Sequence, residues 1–267
     1  MAHQDTIWQD LQRIRAARPL VHNITNYVVM NTTANALLAL GASPVMAHAL
    51  EEVEEMASLA DALVLNIGTL SPPWVEAMFR AGQRARAQGN PVVLDPVGCG
   101  ATRYRTDTAR QLLEEIRPEV VRGNASEILA LAHSGGITKG VDSTHSSAAA
   151  STAAQELAQA FACVICVSGT TDLIVSAHQR FHVYNGHPLM GRITGMGCTA
   201  STFIGAFAAV NSAPVQATTH AMAVMGIAGE AAGQQARGPG SFQMAFLDSL
   251  AALDQVTSAD DIQLEAG

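Results

Sequence analysis

Ala62-Leu63-Val64-Leu65-Asn66-Ile67 is a continuous apolar run that stops at Gly68-Thr69, and a helix with proline in its first turn follows it over 72–88. Pro91-Val92-Val93-Leu94-Asp95 repeats the pattern, an apolar strand with a polar residue at its carboxyl end. Runs of this kind also occupy 119–122 and 162–168, with helix-compatible segments at 107–116, 125–133 and 147–161 between them. Strands that are apolar on both faces and alternate with helices build a parallel sheet covered on both sides. The expected fold is therefore α/β, three layers deep, with helices on both faces of a mostly parallel central sheet.

Working outward, 5–17 has helical spacing through Ile7, Leu11 and Ile14, 42–47 resembles a short strand, and 50–59 a short acidic helix. Leu173-Ile174-Val175-Ser176 and Phe181-His182-Val183-Tyr184 flank a polar loop and read as an antiparallel pair extending the sheet. Beyond 198 the chain is nearly all helix. Linkers, low-complexity blocks and repeats are not evident, so residues 1–267 are read as one domain.

A formal charge of -8 with only 15 Lys and Arg argues against nucleic acid or an anionic membrane as the main partner. Every hydrophobic stretch is interrupted before about 20 residues, and residues 1–18 are polar with charges of both signs, unlike a transmembrane span or signal peptide. Four cysteines without a regular framework suit a reducing, cytoplasmic setting. Cys163 and Cys166 form a C-x-x-C inside an apolar strand that sends their side chains to opposite faces, so core filling is preferred to a redox pair or half a zinc site.

In open parallel sheets ligands bind beyond the carboxyl ends of the strands, and polar residues gather there. Asp95 precedes Pro96-Val97-Gly98, where it suits either magnesium or an Asx turn. Arg122-Gly123-Asn124-Ala125-Ser126-Glu127 places an arginine at a strand end; Asn124 and Glu127 suit a capping box as well. Ser168-Gly169 ends another strand. His22-Asn23-Ile24-Thr25-Asn26 lies just before a helix at 28–40, and its surplus of polar groups over one cap points to a small polar ligand. Ile193-Thr194-Gly195-Met196-Gly197-Cys198-Thr199 opens a small-residue helix at Gly197 or Cys198. Taken alone the stretch suits a plain helix cap with an inert small cysteine; alternatively such an end cradles phosphate oxygens, and its field is expected to favour a Cys198 thiolate. Together these groups suit a magnesium nucleotide.

Five motifs in order, at 22–26, 95–98, 122–127, 167–169 and 193–199, resemble the hydroxyethylthiazole kinases of the ribokinase-like superfamily, a resemblance spanning about 19–233. It implies transfer of the γ-phosphoryl of ATP, with Mg2+, to the primary hydroxyl of 4-methyl-5-(2-hydroxyethyl)thiazole in thiamine salvage. By motif, Met46, Gly195 and Asn26 become substrate contacts, while Arg122, Ser168, Asn124 and Gly197 become ATP contacts. Asp95 and Glu127 would hold the metal, and Cys198 would be the catalytic base, where many superfamily members carry aspartate. Family members are homotrimers with sites between subunits, so the 22–46 region is expected to serve a neighbouring subunit. Hydroxymethylpyrimidine kinase is the alternative within kinases, opposed by the Asn-rich opening. An ATP-dependent dehydratase of hydrated nicotinamide dinucleotides is the alternative outside them, but it calls for aspartate at 198.

Overall fold

The computed structural model describes residues 2–134, 147–254 and 262–267; residue 1 and the segments 135–146 and 255–261, which the single-domain reading includes, lie outside the described residues. Helices α1 (Ala2–Ala17), α2 (Met30–Leu40), α3 (Val53–Leu59), α4 (Pro72–Gln88), α5 (Arg103–Ile116), α6 (Ala125–Ser134), α7 (Ser147–Phe161), α8 (Met196–Ala208), α9 (Pro214–Gln235) and α10 (Pro239–Ala252) surround one sheet. Its strands are β1 (Leu20–Ile24), β2 (Ser43–Val45), β3 (Ala62–Asn66), β4 (Val92–Asp95), β5 (Val120–Asn124), β6 (Val164–Ser168), β7 (Asp172–Val175), β8 (Arg180–Val183) and β9 (Leu264–Ala266), in the spatial order 2-1-3-4-5-6-7-8-9. The first six in that order pair in parallel and β7 to β9 add on antiparallel.

The period of two along each strand builds the layers. Val64, Val93 and Val120 enter one core with residues of α1, α2, α8, α9 and α10, while Leu63, Leu65, Val92, Leu94 and Val121 enter the other with residues of α3 to α7. Cys166 joins the first core and Cys163 the second, both as free thiols, as the alternation predicts. Helix α8 lies directly on the sheet centre at Gly205, where a Cβ would stand 2.8 Å from Val64.

Two strands differ from expectation. The 22–26 stretch is not a cap: β1, lying between β2 and β3, takes up its residues 22–24, and α2 has Val29 at its N-cap with no side-chain cap. Its polar side chains are buried, with His22 Nε2 against the Ala47 carbonyl at 2.7 Å and Asn23 Oδ1 accepting from Thr202 on α8 at 2.9 Å. The polar lettering concealed the strand because the partners of His22 Nε2 and Asn23 Oδ1 come from distant parts of the chain. The C-terminal β9 was also unforeseen; with three residues it carries too little pattern to read.

Candidate active site

Register brings the strand ends level. Asn66 pairs with Asp95 across β3 and β4, and Asn124 with Ser168 across β5 and β6. Over this rim α8 is capped by Gly195, whose φ of 88° suits glycine and whose absent Cβ leaves room for Val29. The helix begins at Met196, one residue ahead of the sequence reading, and its first bond runs from Thr199 N to Gly195 O at 2.8 Å. The amides of Met196, Gly197 and Cys198 therefore have no intrahelical acceptor. Arg122 packs flat against Gly197, where a Cβ would stand 2.6 Å from its Nη1, so only glycine allows the guanidinium to reach the amide cradle.

Arg122 donates to Ser168 Oγ and lies 3.8 Å from Asp95 Oδ2. Burial opposes its charge, but Asp95 and its other anionic neighbours outweigh burial and raise its pKa. Asp95 is completely buried, and burial pushes it up to about 6 against the pull of Arg122, Ser201 and Asn66. It is ionised at neutral pH.

From Asp95 a hydrogen-bond chain leads to the thiol. Asn66 Nδ2 and Ser201 Oγ donate to Asp95 Oδ2 at 2.9 and 2.8 Å, and Asn26 Nδ2 donates to Asn66 Oδ1 at 3.0 Å and to Cys198 Sγ at 3.5 Å. Gly68 has no Cβ to block Asn26. Burial, then the Asp95 charge, push the Cys198 thiol up to about 11, outweighing Asn66, Asn26 and Arg122. This corrects the expected thiolate: desolvation and a neighbouring carboxylate exceed the field of the helix end, and the unliganded thiol holds its proton at pH 7.

Asn124 and Glu127 form the capping box. Asn124 Oδ1 accepts from Glu127 N at 3.0 Å, and Glu127 Oε2 accepts from Asn124 N and Oε1 from Gly98 N, each at 2.8 Å. Among the described residues no three His, Cys, Asp or Glu side chains form a ready metal cage. Asp95 Oδ1 is nevertheless buried without a partner, as is Nε of the neighbouring Arg122. One carboxylate oxygen free beside a hydrogen-bonded carboxylate fits magnesium, which keeps waters and takes few protein ligands.

A cleft of about 670 Å³ runs from Arg122, Ser168, Gly195 and Gly197 to a wall at 184–191 and the face of α9 at Met222 and Met225. Asn26, Asp95, Asn124, Glu127 and Cys198 do not line it, and Met46, partly exposed just past β2, does not either. Asn66, Ser201, Asp172 and the 184–191 wall were missed in the sequence. Asn66 had the same signal as Asp95, a polar residue ending an apolar strand. Burial pushes Asp172 up to about 6, against the Gly169 amide that bonds its Oδ1 at 3.0 Å and the Arg122 charge. Its folded pKa lies above the unfolded value, so the stability it contributes is complete below about 4 and lost as pH rises through about 6. Asp172→Asn should therefore be more stable to urea than the wild type at pH 8, by roughly 3 kcal/mol, and the two should converge near pH 4.

The pyridoxal kinase from Staphylococcus aureus shares this layered sheet, with a TM-score of 0.59 at 17% identity over 79% of this chain and 87% of that one. The fold is that of the ribokinase-like kinases. Residues 11–256 match the model of the hydroxyethylthiazole kinase family, and the chain belongs to that family. It is 58% identical to a hydroxyethylthiazole kinase of Oleidesulfovibrio alaskensis over 94% of each chain. The solved hydroxyethylthiazole kinase of Pyrococcus horikoshii superposes with a TM-score of 0.91 at 45% identity, covering 98% of this chain and 99% of that one. No helix among the described residues is long and apolar enough to cross a membrane.

Proposed function

We propose that the chain phosphorylates the primary hydroxyl of 4-methyl-5-(2-hydroxyethyl)thiazole with ATP and Mg2+, as a cytoplasmic homotrimer of thiamine salvage with its sites between subunits. The observation that carries the site assignment is the convergence of the open α8 amides, Arg122 and the partnerless Asp95 Oδ1. In this reading Arg122, Ser168, Gly197 and Asn124 hold the nucleotide, and Met46, Gly195 and Asn26 the thiazole alcohol. Tyr27 and Val28, 63% and 67% exposed directly after Asn26, support a subunit contact there. Asp95 and Glu127 would hold magnesium, which when bound neutralises phosphate charge.

The alcohol oxygen attacks the γ-phosphorus as the bond to the β-phosphate oxygen breaks, giving ADP and the phosphate monoester. The transition state is loose, so charge stabilisation and alignment dominate. Arg122 and the amides of 196–198 receive the charge of the transferring group. Cys198, in its thiolate form, takes the alcohol proton late, and Asn26 holds the sulfur in place. Coupled ADP release with thiazole and pyrimidine alcohols, with and without Mg2+, tests the reading. We expect Mg2+-dependent turnover on the hydroxyethylthiazole; turnover restricted to the hydroxymethylpyrimidine would transfer the assignment to the other kinase.

A further inference from the structure

The 184–191 wall of the cleft contains little regular structure beyond a 3-10 turn at Pro188–Arg192. Its position comes from α9. Gly226, Gly229 and Gly233 lie along one face of that helix, and a Cβ on Gly226 would stand 2.5 Å from the Asn185 carbonyl, one on Gly229 2.5 Å from Met190 Sδ, and one on Gly233 against the His187 ring. The wall thus rests on bare helix backbone. In the same face, between Gly229 and Gly233, Glu230 accepts from Gly186 N at 2.9 Å and from Asn185 Nδ2 at 3.1 Å. Asn185 is 5% exposed, and its Oδ1 accepts from Gln263 N at 2.8 Å while Tyr184 N donates to Gln263 O at 3.0 Å. Asn185, Gly186, His187 and Met190 face the cleft, whereas Glu230 stands behind them.

We propose that Glu230 is a positioning residue for nucleotide binding, fixing the 184–191 wall through Asn185 and Gly186; this rests on reading the cleft as the ATP site. Loss of its carboxylate removes the acceptor that ties the Gly186 amide and the Asn185 side chain to α9, and the wall relaxes from that helix. The opposite end of the cleft, with Arg122 and the α8 amides, is untouched. Affinity should therefore suffer while chemistry at saturating ATP persists.

Calorimetric titration of the full chain with the β,γ-imido analogue of ATP, beside steady-state kinetics, tests this. For Glu230→Ala we expect about tenfold weaker binding and a similarly raised KM for ATP, with kcat within about threefold; Glu230→Gln, whose amide oxygen still accepts, should remain within about threefold throughout. Unchanged affinity in Glu230→Ala, or equal losses in Gln and Ala, overturns the proposal, provided Arg122→Ala weakens binding. If Arg122→Ala binds the analogue normally, the cleft is not the nucleotide site and the underlying reading fails instead. Should Glu230→Ala not fold, Gln263→Pro removes the amide that braces Asn185 from the far side and must weaken analogue binding about threefold; normal binding there overturns the proposal.

Discussion

Arg122→Ala should lower kcat/KM for ATP by about 10³-fold, the lower end of what an arginine on a transferring phosphoryl group supplies. The side chain is sandwiched between Gly197 and Asp95 and bonded to Ser168, so its charge is delivered to the amide cradle with little freedom to lose. The substitution also leaves Asp95 buried beside no cation, which costs roughly 3 kcal/mol of stability. That penalty has a pH signature. Asp95 protonates as pH falls through about 6, so the deficit in thermal midpoint should be greatest at pH 8 and shrink by pH 5. Arg122→Lys should rescue stability better than activity, because an ammonium does not reproduce the planar fork. An alanine variant within tenfold of wild-type kcat/KM would remove Arg122 from phosphate stabilisation.

Cys198→Ala should reduce kcat by about 10²-fold at pH 7 and by about 10⁴-fold near pH 9, with KM for ATP within about twofold. The widening follows from the thiol. With its proton held up to about 11, the sulfur is a stronger but scarcer base, and each step in pH increases the competent fraction that alanine lacks. Near-normal turnover of the alanine variant across this range would exclude Cys198 from proton transfer. Cys99, Cys163 and Cys166 are buried whereas Cys198 is partly exposed, so thiol reagents on the folded protein should report chiefly on Cys198.

The parallel centre of the fold was legible because β3, β4, β5 and β6 are buried on both faces, and such strands have to be written as apolar runs. Helix α4 was legible to the residue, with proline in its first turn and Gly89 at φ 77° ending it. Strand β1 was not, because His22 and Asn23 face partners on Ala47 and Thr202 that lie 25 and 179 positions away in sequence. The same distance effect hid the site's second half. Asn66 and Ser201 matter only once β3, β4 and α8 meet at Asp95, and the 184–191 wall only once α9 lies beneath it. The Cys198 error has the same origin: a helix end is visible in sequence, whereas the desolvation that exceeds its field belongs to the folded interior.

The central claim is that Cys198 takes the alcohol proton at the mouth of α8, and kcat against pH for the wild type and Cys198→Asp, side by side from pH 6 to 10, tests it most directly. The wild type should rise about tenfold per pH unit between 7 and 9, while the aspartate variant, already ionised, should be flat over that range and equal or exceed the wild type at pH 7. A flat wild-type profile between pH 7 and 9, together with a folded but inactive Cys198→Asp, would contradict it.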